Sequence, residues 1–195
     1  MARPLAVAVT GGIAAGKSEA LAAFARRGAL VSSSDEIVHR LYREDDELKA
    51  GLRARWGGGV FAADGEVDRA AVGRIVFADR AELAWLESEL HPRVRRLYEG
   101  WLAELRESDD PPVLAVAEIP LLYEAGGEGR FDKVVVITAP PELRAARRGP
   151  LDDRESRLIP DEEKLRRADF AFVNDGSIEA LDAFVGSVIE ELASC

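Results

Sequence analysis

Cysteine is almost missing from this 195-residue chain, and the one present, Cys195, is the last residue. A lone terminal thiol cannot build an internal disulfide framework or a zinc site, so a reducing cytoplasm is the expected compartment. Long apolar runs are missing too. Nothing approaches the ~20 consecutive apolar residues of a membrane-spanning helix, and no membrane partner is expected. The short apolar stretch after Met1 leads straight into a glycine-rich turn, unlike a secretory leader with its longer apolar region and cleavage site. Lysine is scarce: Lys17, Lys49, Lys133 and Lys164 are the full set, and arginine carries the remaining positive charge. Repeats and low-complexity tracts are also absent.

What is present is an acidic, ordinary globular composition: 47% hydrophobic, 32% charged, with a formal net charge of −10. Such a chain is expected to fold and dissolve. It is a poor non-specific partner for nucleic acid, whose binding comes largely from neutralised phosphates. No nucleic-acid partner is expected, and any anionic ligand must be held by local donors. The length suits one α/β domain with a small inserted lobe, as a monomer or a weak homo-oligomer.

Three apolar β-rich runs stand out at Leu5–Thr10, Val113–Glu118 and Val134–Thr138, with weaker candidates at Ala29–Ser32 and Phe170–Asn174. None alternates cleanly between apolar and polar, as expected of strands covered on both faces. Helical spacing fills the intervals at Lys17–Arg27, Asp35–Arg43, Asp45–Trp56, Asp68–Val76, Arg80–Leu90 and Pro92–Arg106. Pro92, Pro141 and Pro160 suit first helical turns, and Gly28 suits a C-terminal cap. Ser177, with Glu179 and an apolar face through Leu181, Val185 and Val188, predicts a closing amphipathic helix. Strand–helix alternation implies a parallel sheet of about five strands wrapped by helices. The helical stretch of about 45–108 is too long for a plain crossover and is expected to form a lobe.

Gly11-Gly12-Ile13-Ala14-Ala15-Gly16-Lys17-Ser18 matches the phosphate-loop pattern in full, after a strand and before a helix. Small residues let the backbone curl so that several N–H groups face one concavity, and the following helix adds its positive end. Lys17 can then reach the β- and γ-phosphates of ATP, while the Ser18 hydroxyl can ligate Mg²⁺. Glu118, at a strand end, either holds Mg²⁺ through water or is a carboxylate facing solvent. Asp35 follows the second candidate strand. It is either the carboxylate that accepts an acceptor hydroxyl's proton or a helix cap.

Further stretches carry a resemblance. They are Ser33-Ser34-Asp35-Glu36-Ile37-Val38-His39, Asp68-Arg69 through Phe77, Leu86-Glu87 through His91-Pro92, Pro120-Leu121-Leu122-Tyr123-Glu124, Glu163-Lys164, Ala168-Asp169 and Asn174-Asp175-Gly176-Ser177. Together with the loop they resemble the dephospho-CoA kinases, which phosphorylate the ribose 3′-hydroxyl of dephospho-CoA in the last step of coenzyme A synthesis. The resemblance implies a P-loop three-layer fold. Its core would be about 1–44, 109–142 and 160–195, with a CoA-side insert of about 45–108 and a short lid of about 143–159. It makes Asp35 the general base, and it makes Lys17 and a lid arginine, best matched by Arg147, the groups that stabilise the transferred phosphoryl. Glu19 closes the nucleotide loop, and Asn174 would lie near the adenine. Arg74, His91, Arg95, Pro120, Leu121, Leu122 and Tyr123 would shape the acceptor pocket.

The sequence departs from that family at three places. Ser33 stands where a first aspartate is usual, Glu19 stands in place of a second hydroxyl, and the lid is shorter and interrupted by Gly149-Pro150. Two other readings share the loop: a kinase of another small alcohol, and a nucleotide-binding regulator without turnover.

Overall fold

The computed structural model describes residues 3–148 and 158–194. Two compact units divide the chain, one of Met1–Ser33 with Leu102–Cys195 and one of Ser34–Trp101.

The first unit is built on five parallel strands: β1 (Leu5–Gly11), β2 (Leu30–Ser33), β3 (Leu114–Glu118), β4 (Lys133–Thr138) and β5 (Phe170–Val173), in spatial order β2-β3-β1-β4-β5. β1, β3 and β4 are the uninterrupted apolar runs of the sequence. They are buried almost throughout, while the edge strands β2 and β5 are partly exposed. This is the burial expected when helices cover both faces of a parallel sheet. Gly11 closes β1 where the chain passes Ile137. A methyl group there would lie 1.8 Å from the Ile137 carbonyl oxygen, and φ is +137°, so only glycine fits.

α1 (Lys17–Arg26) follows the loop and α8 (Ile178–Ala193) closes the chain. Phe24 of α1 joins Leu181, Val185 and Val188 of α8 in the core against Val9 and Ile137. Ser177 caps α8 by accepting the Ala180 N–H at 3.2 Å, and Gly28 follows α1 with φ +88°, both as the sequence suggests. Outside the core, Asp182 of α8 is paired with Arg26 and Arg27. The Arg27 and then the Arg26 hydrogen bond hold its carboxyl well below the usual carboxylate range. A carboxylate depressed on folding stabilises above its unfolded value of about 4 and loses that contribution as the pH falls below it. Asp182→Asn should therefore lower Tm at pH 7, and the gap to the parent should narrow at about pH 2.5. An equal gap at both pH values would refute this.

The second unit is helical: α2 (Ser34–Glu44), α3 (Asp46–Trp56), α4 (Arg69–Ala78) and most of α5 (Arg80–Glu107). Asp45 and Asp68 cap α3 and α4 by accepting the Leu48 N–H and the Ala70 and Ala71 N–H groups. Asp45 also pairs with Arg93, which bonds Glu89 on the other side. Trp56 and Trp85 meet edge to face at 5.0 Å, and the Trp56 indole N–H donates to Glu82. One expectation fails here. Pro92 does not open a new helix but lies inside the 28-residue α5. The ring removes one backbone donor, and the burial of Leu86, Tyr98 and Leu102 along the same helix offsets that loss. His91 is therefore mid-helix rather than a helix-end residue.

α6 (Pro141–Arg148) and α7 (Asp161–Arg167) complete the first unit, Pro160 being the cap of α7 rather than its first residue. Gly149-Pro150, Arg154 and Arg157 of the expected lid lie outside the described residues. Among those described, no helix is long and apolar enough to cross a membrane.

Candidate active site

The turn from β1 into α1 needs two left-handed backbone positions, Ala14 at φ +57° and Gly16 at φ +103°. Gly16 cannot carry a side chain, because a methyl group there would meet Asn174 Nδ2 at 2.4 Å. That side chain is fixed in place: Asn174 is buried and donates from Nδ2 to the Ala15 carbonyl at 2.8 Å, while its Oδ1 accepts the Gly176 N–H at 2.9 Å. Lys17 folds back over the loop and donates to the Gly12 carbonyl at 2.8 Å and to the Gly11 carbonyl at 3.4 Å. Arg147 reaches from α6 and donates to the Ala14 carbonyl at 3.1 Å. These groups surround a cavity of about 440 Å³ whose wall runs from Ala14 through Glu19 and on to Asn174 and Leu181. Ser18 and Arg147 are on that wall; Ile13 and the two glycines that open the loop are not.

A second arginine is closer to the loop's start than Arg147. Arg144 is buried, with Nη1 3.0 Å from where a Gly12 methyl would be, and Asp161 of α7 lies 3.7 Å from it. Arg144 falls within the stretch of about 143–159 expected as the lid, where the resemblance instead best matches Arg147. Only the fold singles it out, by turning its side chain inward from α6 toward Gly12.

On the other side of β1, Glu118 ends β3 in register with Ser33 of β2 and Val9 of β1. Glu118 is buried, not solvent-facing, and accepts a hydrogen bond from Ser33 Oγ at 3.4 Å. The phosphate loop, Ser33 and Glu118 thus share the carboxyl edge of the sheet, where ligands of open α/β sheets bind. The turn after β3 is fastened to β1 by Ile119 N–H to the Val9 carbonyl at 2.9 Å and by Thr10 Oγ1 to the Pro120 carbonyl at 3.3 Å. Pro120 and Leu121 are half-buried, whereas Leu122 and Tyr123 turn inward.

The remaining candidates belong to the helical unit. Asp35 is exposed, the second residue of α2 and two beyond Ser33 in the chain. It lies inside α2, past the cap position that the sequence left open for it. Arg74 lines a separate cavity of about 410 Å³ with Trp56, Val60, Ala71 and Ile75. Arg95 is exposed and paired with Glu99, and His91 is exposed on α5.

A wholly parallel sheet with a complete glycine-rich Gly-Lys-Ser loop at the end of its central strand defines a P-loop nucleotide-binding protein. Within that class, a family model described as dephospho-CoA kinase matches residues 5–180. The dephospho-CoA kinase of Mesorhizobium japonicum is 42% identical over 197 residues, with 96% of each chain covered. Among solved structures, TT1252 from Thermus thermophilus is 36% identical with a TM-score of 0.73, covering 98% of this chain and 99% of that one. The dephospho-CoA kinase from Campylobacter jejuni is 29% identical with a TM-score of 0.71, covering 97% of each. The chain belongs to the dephospho-CoA kinase family.

Proposed function

We propose that this protein transfers the γ-phosphoryl group of ATP to the ribose 3′-hydroxyl of dephospho-CoA, giving coenzyme A. The observation that carries the reading is the fastened loop beside a cavity that gathers Lys17, Ser18, Arg147 and Asn174, on the sheet edge that also holds Glu118 and leads in the chain to Asp35.

The loop N–H groups and the amino end of α1 hold the phosphate oxygens. Lys17 exchanges its carbonyl partners for the β- and γ-phosphates, and Arg147 leaves the Ala14 carbonyl to meet the transferred group. Both stabilise charge that spreads over the γ-phosphoryl oxygens. Asp35 accepts the proton of the 3′-hydroxyl, whose oxygen forms the new bond to phosphorus as the bond to the β-phosphate oxygen breaks, releasing ADP. Asn174, on the cavity wall, lies on the adenine side. Arg74, His91, Arg95 and the Pro120–Tyr123 turn serve the acceptor, the half-buried Pro120 and Leu121 of that turn being its accessible part.

The oxygen donors fit a magnesium ion: a hydroxyl in the first turn of α1, and a buried strand-end carboxylate that accepts from the Ser33 hydroxyl. Ser18 would hold it directly and Glu118 through water. When bound, it neutralises the β- and γ-phosphate charge.

Incubation with Mg-ATP and dephospho-CoA should yield a product heavier by one phosphoryl group, with ADP formed in equal amount. An acceptor lacking the 3′-hydroxyl should stay unchanged. ADP without phosphorylated acceptor would overturn the reading.

A further inference from the structure

A lysine with no exposure is the least expected group in the sheet-bearing unit, and the transfer chemistry above does not use it. Lys164, midway along α7, is fully buried, and its Nζ lies 2.8 Å from Glu124 Oε1. The same oxygen accepts the Ile159 backbone N–H at 3.0 Å. The second Glu124 oxygen, the Tyr123 hydroxyl and the Lys164 ammonium are buried with no aligned hydrogen-bond partner among the described residues. Apolar side chains of similar volume are often as stable as such a buried ion pair, so stability alone does not account for it.

Its neighbours give it a geometric use. Asp161, the first residue of α7, faces Arg144 beside Gly12 of the phosphate loop. Lys164 holds Glu124. Arg167, the last residue, lies over the Tyr123 ring at 4.3 Å and pairs with Glu128. One short helix therefore runs from the phosphate loop to the Pro120–Glu124 turn. We propose that the buried Lys164–Glu124 pair is a positioning device that holds the turn after β3 in register with the phosphate loop, so that the acceptor hydroxyl is presented to the nucleotide. The proposal rests on the reading above, in which that turn borders the acceptor.

Lys164→Met alone strands a buried carboxylate and should lower Tm by about 10 °C. Adding Glu124→Leu should restore most of it. The double variant should bind ATP within about twofold of the parent, because neither residue lines the nucleotide cavity. Its KM for dephospho-CoA should nonetheless rise by about tenfold or more, with a lower kcat, as expected for a displaced acceptor. Should the double variant not fold, Lys164→Arg, which keeps the charge but not its position, gives the same readout. Parental KM in a folded variant would overturn the proposal, leaving the pair purely structural. Equal losses of ATP and acceptor binding would overturn it too, since the pair would then act on the loop itself. A parent enzyme that does not phosphorylate dephospho-CoA at all would instead sink the functional reading, and the acceptor role with it.

Discussion

Lys17→Met is expected to slow phosphoryl transfer by about 10²- to 10³-fold, the loss seen when one preorganised donor to a developing charge is removed. Methionine keeps the length and the apolar stem, so the change isolates the ammonium. That ammonium holds two loop carbonyls, those of Gly12 and Gly11. The loop has other fastenings, Asn174 on Ala15 and Arg147 on Ala14, and the fold should survive. ATP affinity should fall much less than kcat, because the backbone N–H groups and the helix end still hold the phosphates in the ground state, and only differential binding of the transition state speeds transfer. Product formation at saturating ATP, set beside an equilibrium titration with ATP, measures the two separately. A variant that binds ATP weakly but turns over at the parental rate when saturated would show that Lys17 contributes only uniform binding.

How much of this could be read in advance depended on the range of the interactions involved. The phosphate loop was legible residue by residue, since a curled backbone of small residues, a lysine and a hydroxyl are all local requirements. β1, β3 and β4 were legible as uninterrupted apolar runs, because both faces of a central parallel strand are covered; their ends fall within one residue of the expected ones. The family was legible from motifs spread over nearly the whole chain, and the family match over residues 5–180 supports it. Tertiary choices were not legible. Pro92 reads locally as a helix start, yet α5 runs through it because packing along 28 residues outweighs one missing hydrogen bond. Among the lid arginines nothing local separates Arg144, which is buried against Gly12, from Arg147, which reaches Ala14. The Lys164–Glu124 pair joins residues forty apart in sequence; Glu124 and Lys164 each stood in a stretch that carries the resemblance, and nothing local showed that the fold pairs them.

Asp35→Asn should lower kcat by about 10²-fold or more if the carboxylate takes the 3′-hydroxyl proton. The amide keeps size and hydrogen-bonding reach but cannot accept that proton. A merely structural role predicts something much smaller: an acidic residue in the first turn of a helix contributes about 0.3–1 kcal/mol through the helix dipole, a change in stability and not in rate. Nor can a neighbour readily substitute. Ser33 stands where the resemblance expects another aspartate, and its hydroxyl is engaged with Glu118. Glu36, one residue on, points about 100° further around the helix. The decisive comparison is single-turnover transfer with ATP prebound. Asp35→Asn should retain ATP binding and Tm close to those of the parent while transfer to dephospho-CoA collapses. If transfer continues at the parental rate in a protein that still binds both substrates, the hydroxyl loses its proton without Asp35, and the positive charge gathered at the phosphate loop carries the reaction without a dedicated base.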